Sequence, residues 1–275
     1  MSPVPDPSKR KPTLAPYHSN RKTLWHLVCW FVLLLPAGAF ARELKFVGPD
    51  QPPYFWLADG RPTGAFVQAM DLACARLGHT CAYEVRPMAR AWAEVKAGIF
   101  DGVVGLSFNK DRADFLFNPA PIFPANVVYL RVAGKNKALR SEAELNGVMI
   151  GVVRGSTSAK KLRERQARIE QLKISEEANV ETLVKLLKLD RFGADGAIFG
   201  VGPSFVFEAR SQGVALEPIL VADINHLGVA FSRSALDDAV VDAFNLEFKT
   251  MAKSGAIKRI SAQYGLLDTP RDSAR

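Results

Sequence analysis

Cysteine is scarce in this chain, with three among 275 residues, which excludes a small scaffold held together by many disulfides. Histidine is equally sparse. Beyond residue 41 only His79 and His226 occur, at no recognisable ligand spacing, so a metal centre has no support. The dinucleotide fingerprint and the Walker phosphate loop are both missing, and no cofactor is expected. A Gly-x-Ser-x-Gly elbow is missing too, and Ser107 and Ser156 have no visible histidine partner, so catalysis has little support. With 17 Pro and 20 Gly the chain is neither collagen-like nor of low complexity. The net charge of +8 is a weak bias. Residues 1–41 hold five Lys/Arg and one Asp, a net of +4, which leaves +4 for the remainder. Such a mildly basic body does not point to nucleic acid. What is present is 48% hydrophobic residues in a length that allows one large domain or two lobes with separate cores.

The single long apolar run lies near the N-terminus. Lys9, Arg10, Lys11, Arg21 and Lys22 precede Leu24–Pro36, and small residues follow at Ala39 and Ala41. This is the pattern of a secretory signal peptide over 1–41, cleaved after Ala41. The alternative is a retained anchor, for which a stretch containing His26 and Pro36 is short. Export to the periplasm would leave Cys74 and Cys81 as the remaining cysteines. They bracket a helix stop and a strand start, where a disulfide is geometrically reasonable and two buried thiols are the alternative.

Beyond Ala41 the elements alternate. Leu44–Val47 reads as a strand, then Pro-rich Gly48–Tyr54 as a loop. Phe66, Met70, Ala73 and Leu77 recur on one helical face, and Gly78 stops that helix. Cys81–Val85, a helix marked by Met88, Trp92 and Val95, and apolar Gly102–Leu106 follow. The order strand–helix–strand–helix–strand predicts a largely parallel sheet with helices on both faces. After the strand Val127–Val132 and polar Gly134–Lys137 the pattern restarts. Strands are expected at Val148–Val153 and Ala197–Gly200, and helices at Ser158–Gln166 and Val180–Leu187. Phe205 and Phe207 belong to a helix or a strand. A late strand, Leu227–Phe231, precedes two helices. The predicted architecture is α/β with two lobes, 42–132 plus 226–275 and 133–225, and a ligand cleft between them. In open α/β sheets ligands gather at the carboxyl ends of strands.

The residues after those ends are the candidates. Ser156 and Thr157 follow a strand and open a helix, which makes either a small anion site or a plain N-cap. Ser107 and Arg112 follow Gly102–Leu106; the planar fork of Arg112 suits a carboxylate, and an ion pair with Asp111 or Asp114 is the alternative. Asp50 and Tyr54 follow the first strand, where Tyr54 either stacks on a ligand or packs in the core. Arg90 near a helix start either reaches the cleft or is solvated.

Several stretches together carry a family resemblance: Val47–Tyr54, Gly60–Phe66, Gly98–Gly102 continuing to Ser107 and Arg112, Leu145–Thr157, and Leu227–Phe231 with the closing helices and Tyr264-Gly265. In their order and spacing the chain resembles the family 3 extracellular solute-binding proteins, the polar amino-acid type of ABC importer receptors. The resemblance implies a type II periplasmic-binding-protein fold and a monomer that captures a small polar, carboxylate-bearing solute, without catalysis, and delivers it to a membrane permease. It implies that Arg112 grips a carboxylate, helped by Ser107 and the Ser156-Thr157 turn, and that aromatics near Tyr54 cover the ligand. An aspartate that takes the ligand's ammonium in many members is replaced here by Gly200. Asp50 or Asp223 would compensate, or the ligand would lack an amine, and Arg112 with Arg90 would suit an acidic ligand. A periplasmic enzyme such as a dehydratase and a sensory partner of a membrane receptor are the alternatives on the same fold.

Overall fold

The computed structural model describes residues 42–107, 110–117, 120–134 and 138–266. The expected signal peptide lies outside the described residues. In chain order the elements are β1 (Glu43–Gly48), β2 (Trp56–Ala58), β3 (Arg61–Thr63), α1 (Ala65–Arg76), β4 (Thr80–Val85), α2 (Met88–Lys96), β5 (Gly102–Leu106), β6 (Ala120–Pro124), β7 (Val127–Val132), β8 (Met149–Val153), α3 (Thr157–Gln166), β9 (Lys173–Glu177), α4 (Val180–Lys188), β10 (Ala197–Val201), α5 (Gly202–Ser211), β11 (Leu216–Asp223), β12 (His226–Phe231), α6 (Asp238–Lys253) and α7 (Ala256–Tyr264).

Two five-stranded sheets organise these elements, in the orders β4-β1-β5-β12-β6 and β11-β7-β10-β8-β9. Each is mixed. Three strands run parallel (β4, β1, β5 and β9, β8, β10), and the other two pair antiparallel. Each sheet therefore borrows a strand from across the molecule: β12 returns to the first after the second is complete, and β7 enters the second directly after β6. The sequence reading kept Val127–Val132 in the first lobe. Its pairing with β10 and β11 assigns it to the second, so the first crossing lies between Pro124 and Val127. The return crossing lies between Asp223 and His226.

The continuous apolar runs of β5, β7, β8 and β10 follow from burial on both faces. Along β7, Val127 and Tyr129 join one core with Leu162 of α3, while Val128 and Leu130 join another with Leu183 of α4 and Phe205 of α5. That alternation is the two-residue period of a strand. In the first lobe α1, α6 and α7 cover one face and α2 the other. Helix α1 starts at Gly64, whose φ of 124° and tight fit both require glycine, because a Cβ there would lie 2.4 Å from the carbonyl oxygen of Tyr54. Cys74 on α1 and Cys81 on β4 form a disulfide with Cα atoms 6.2 Å apart. Among the described residues no helix is long and apolar enough to cross a membrane.

The two crossings are tied to each other. Ala125 N–H donates to Asn225 O at 2.8 Å, and Asn225 N–H donates to the side-chain oxygen of Asn126 at 3.0 Å. Gly202 N–H, at the start of α5, donates to Asn126 O at 3.0 Å. Nearby, Trp56 of the first lobe packs its ring 5.3 Å from Phe207 of the second and 6.1 Å from Tyr264.

Candidate functional site

A cavity of about 490 Å³ opens between the lobes. Its first-lobe wall is the loop after β1, Pro49–Pro52. Its second-lobe wall is built where three neighbouring parallel strands end: Val153 and Ser156 after β8, Asn179–Glu181 after β9, and Gly200 and Val201 at the end of β10, continued by Ser204–Glu208 of α5. This is the carboxyl edge of the parallel strands, where open α/β sheets place ligands. The starts of α3, α4 and α5 converge on it. Ser156 and Asn179 cap the first two by accepting from Ala159 N–H at 3.0 Å and Thr182 N–H at 2.8 Å. Helix α5 has no side-chain cap, and Pro203 opens its first turn.

Of the residues singled out in the sequence, Asp50 and Ser156 line this cavity. Ser107 and Arg112 do not. Ser107 directly follows β5, which lies beside β1 in parallel, so it shares a sheet edge with Asp50. The half-buried Arg112 guanidinium lies 4.7 Å from the centre of the Trp92 ring, a cation–π contact. Burial lowers its pKa, and the charge of Asp111 opposes that shift. Thr157 is exposed as the first residue of α3.

Two expectations are corrected. Tyr54 is completely buried and its hydroxyl donates to Pro124 O at 2.6 Å, so it packs the first lobe and cannot cover a ligand. Arg90 is exposed on α2, pairs with Glu94 at 2.8 Å and takes no part in the cavity. Asp223 is also committed elsewhere. It pairs with Lys161 at 3.2 Å and with Arg165 at 3.0 Å, while Arg165 holds Glu142 at 2.7 Å and lies over the Phe199 ring. This half-buried network braces the end of β11 where the chain leaves for the return crossing. At Gly200 the room for a side chain is taken, because a Cβ would meet the Phe205 ring at 2.7 Å.

The sequence reading missed Asn179, Glu181, Ser204 and Glu208. Asn179 and Glu181 stand at the start of α4, whose pattern was read only for its apolar face, and Ser204 and Glu208 lie in α5, whose pattern was ambiguous.

The fold recurs among solved structures. An ancestral cationic amino-acid solute-binding protein matches with a TM-score of 0.70 at 19% identity, over 81% of this chain and 95% of its own. Substrate-binding domain 2 of GlnP from Lactococcus lactis, in an open conformation, matches at 0.67 and 17% identity, over 82% and 97%. A histidine kinase sensor domain with similarity to periplasmic binding proteins matches at 0.64 and 18% identity, over 83% and 99%. No curated protein matches the chain. The model of the bacterial extracellular solute-binding proteins, family 3, matches residues 46–266, nearly the whole two-lobed body. With its sheet order and inter-lobe cavity, the chain belongs to that family.

Proposed function

We propose that the chain is an exported receptor that captures a small polar solute, an amino acid or a related compound, and hands it to the membrane permease of an ABC importer. Residues 1–41 direct it to the periplasm and are removed. The observation that carries this reading is the cavity at the carboxyl ends of strands from two lobes joined by only two crossings. A site split in this way gains its second set of contacts when the lobes close, which couples capture to shape. The start of α3 after Ser156 offers backbone N–H groups to an anionic group of the solute. Ser107 and Arg112 approach the same group from the first lobe on closure, with Arg112 leaving Trp92. Asp50 lies opposite.

A thermal-shift screen of amino acids, organic acids and small amines tests the reading. A ligand at a hundred times its Kd stabilises the native state by about 2.7 kcal/mol, which is a readily measured rise in Tm. Failure of every solute class to raise Tm would refute it.

A further inference from the structure

Trp92 stands half-buried on α2, between the core of the first lobe and Arg112. Its ring packs against the cluster of Val95, Val103, Leu106 and Leu116, and Phe115 meets it edge-on with ring centres 6.2 Å apart. The Arg112 guanidinium lies over it, 4.7 Å from its centre. Ring and arginine are anchored separately. Arg112 closes a short 3-10 turn, Lys110–Arg112, and its carbonyl accepts from Leu116 N–H at 2.9 Å. Leu116 is buried and bridges to Ser232, just beyond β12. A change of partner by Arg112 therefore needs rotation of its side chain, with turn and ring left in place. The turn follows β5, so the guanidinium lies beside the carboxyl edge on which the cavity opens but does not line it.

Two contacts compete for this cation. On Trp92 the negative face of the ring replaces part of the hydration that burial removes. A carboxylate offers two parallel charge-assisted hydrogen bonds, once the guanidinium has left the ring. The share of molecules in which the arginine is already free scales the apparent affinity. We propose that Trp92 is the resting partner of Arg112, a positioning residue that holds the guanidinium beside the cleft until a solute carboxylate displaces it. Capture is then weakened by the strength of the resting contact. This rests on the receptor reading and on Arg112 as its carboxylate ligand, and it adds the residue that sets how readily the arginine is released.

Calorimetric titration of the purified protein with glutamine, glutamate and arginine, which share a carboxylate and differ at the far end, tests the resting contact. For any of them that binds, Trp92→Leu should raise affinity about two- to fivefold, the weight of a cation–π contact near the surface. Trp92→Phe, which keeps an aromatic face and most of the packing, should lie between the two. In an Arg112→Met background Trp92→Leu should change nothing, because the contact is already gone. A loosened fold lowers affinity in both backgrounds, so a gain that needs Arg112 separates positioning from packing. In a Trp56→Phe variant Trp92 is the single tryptophan beyond residue 41. Its residual change of emission on saturation should disappear when Arg112→Met is added. Equal or weaker binding by both Trp92 variants, the same gain in the Arg112→Met background, or an emission change that survives Arg112→Met overturns the resting contact and leaves the receptor reading in place. Absence of binding by all three probes also overturns it, and the wider screen above then decides the receptor reading separately.

Discussion

Tyr54 and Arg112 were both candidates for ligand contact; the structure buries Tyr54 inside the first lobe, and contact with the solute is proposed for Arg112 alone. Tyr54→Phe removes a buried donor and leaves Pro124 O without it, so it should cost about 1–3 kcal/mol of stability without altering ligand affinity. A urea midpoint and a titration on the same variant check this, and a loss of affinity at unchanged stability would return Tyr54 to the site. Arg112→Ala should do the reverse. Charge-assisted contacts contribute about 1.5–3 kcal/mol, so affinity for a carboxylate solute should fall roughly tenfold or more. The buried phenols also predict a pH response. Desolvation holds Tyr54 and Tyr83 protonated well above the ordinary value of 10.0. The unfolded chain therefore ionises first, so this stabilisation is complete below about pH 10 and is lost as pH rises beyond it. The urea midpoint should drop above pH 10, and the drop should be shallower in Tyr54→Phe; an identical slope in both proteins contradicts the assignment. The sequence could not separate these residues, because an aromatic after a strand end looks the same whether it turns toward the cleft or under the sheet.

At the scale of elements, the caps and the disulfide carry local stability. Asn179→Ala should cost about 1 kcal/mol by freeing Thr182 N–H at the start of α4. Removing the Cys74–Cys81 bridge, seven residues apart, should cost about 2–3 kcal/mol through the entropy of the unfolded chain. Denaturant titrations of Asn179→Ala and of the double Cys→Ser variant measure both, and a shift of less than half the expected size would show that α4 or the α1–β4 turn is held by packing alone. Most strongly patterned elements were legible in the sequence: α1 from its stripe, β5 and β8 as apolar runs, and α6 and α7 from their period. Strand β9, Lys-Ile-Ser-Glu-Glu, was not, because one aliphatic among polar residues gives no strand signal at the edge of a sheet. Helix α5 was ambiguous because Phe205 and Phe207 are two apart, the spacing of a strand. Helix α5 supplies Ser204, Phe205, Phe207 and Glu208 to the second-lobe wall of the cavity, so that part of the site was missed where the pattern was weak. Strand β7 was recognised but put in the wrong lobe. Membership of a sheet is decided by register with β10 and β11, pairings distant in sequence that a local pattern does not contain.

Across the whole molecule, the two lobes meet through the crossings at Pro124–Val127 and Asp223–His226 and through the contact of Trp56 with Phe207. Beyond residue 41 the only tryptophans are Trp56 and Trp92, one in the inter-lobe contact and the other beneath Arg112. Closure should therefore change tryptophan emission, and Trp56→Phe should remove most of the change at the inter-lobe contact; a full-size signal in that variant would place the responding group at Trp92. The Asp223–Arg165–Glu142 network supports the return crossing from inside the second lobe. Arg165→Met leaves Glu142 without its cation and Asp223 with Lys161 alone, and, because both carboxylates are half-exposed, should destabilise by about 1.5–3 kcal/mol in chemical denaturation. A loss below 1 kcal/mol would show that the crossing does not depend on it. The proposed capture rests on one motion, the approach of two preformed lobes around a solute. Small-angle X-ray scattering of the purified protein, with and without a solute found in the screen, measures it directly: the radius of gyration should fall on saturation, whereas an unchanged radius at full occupancy would contradict capture by closure.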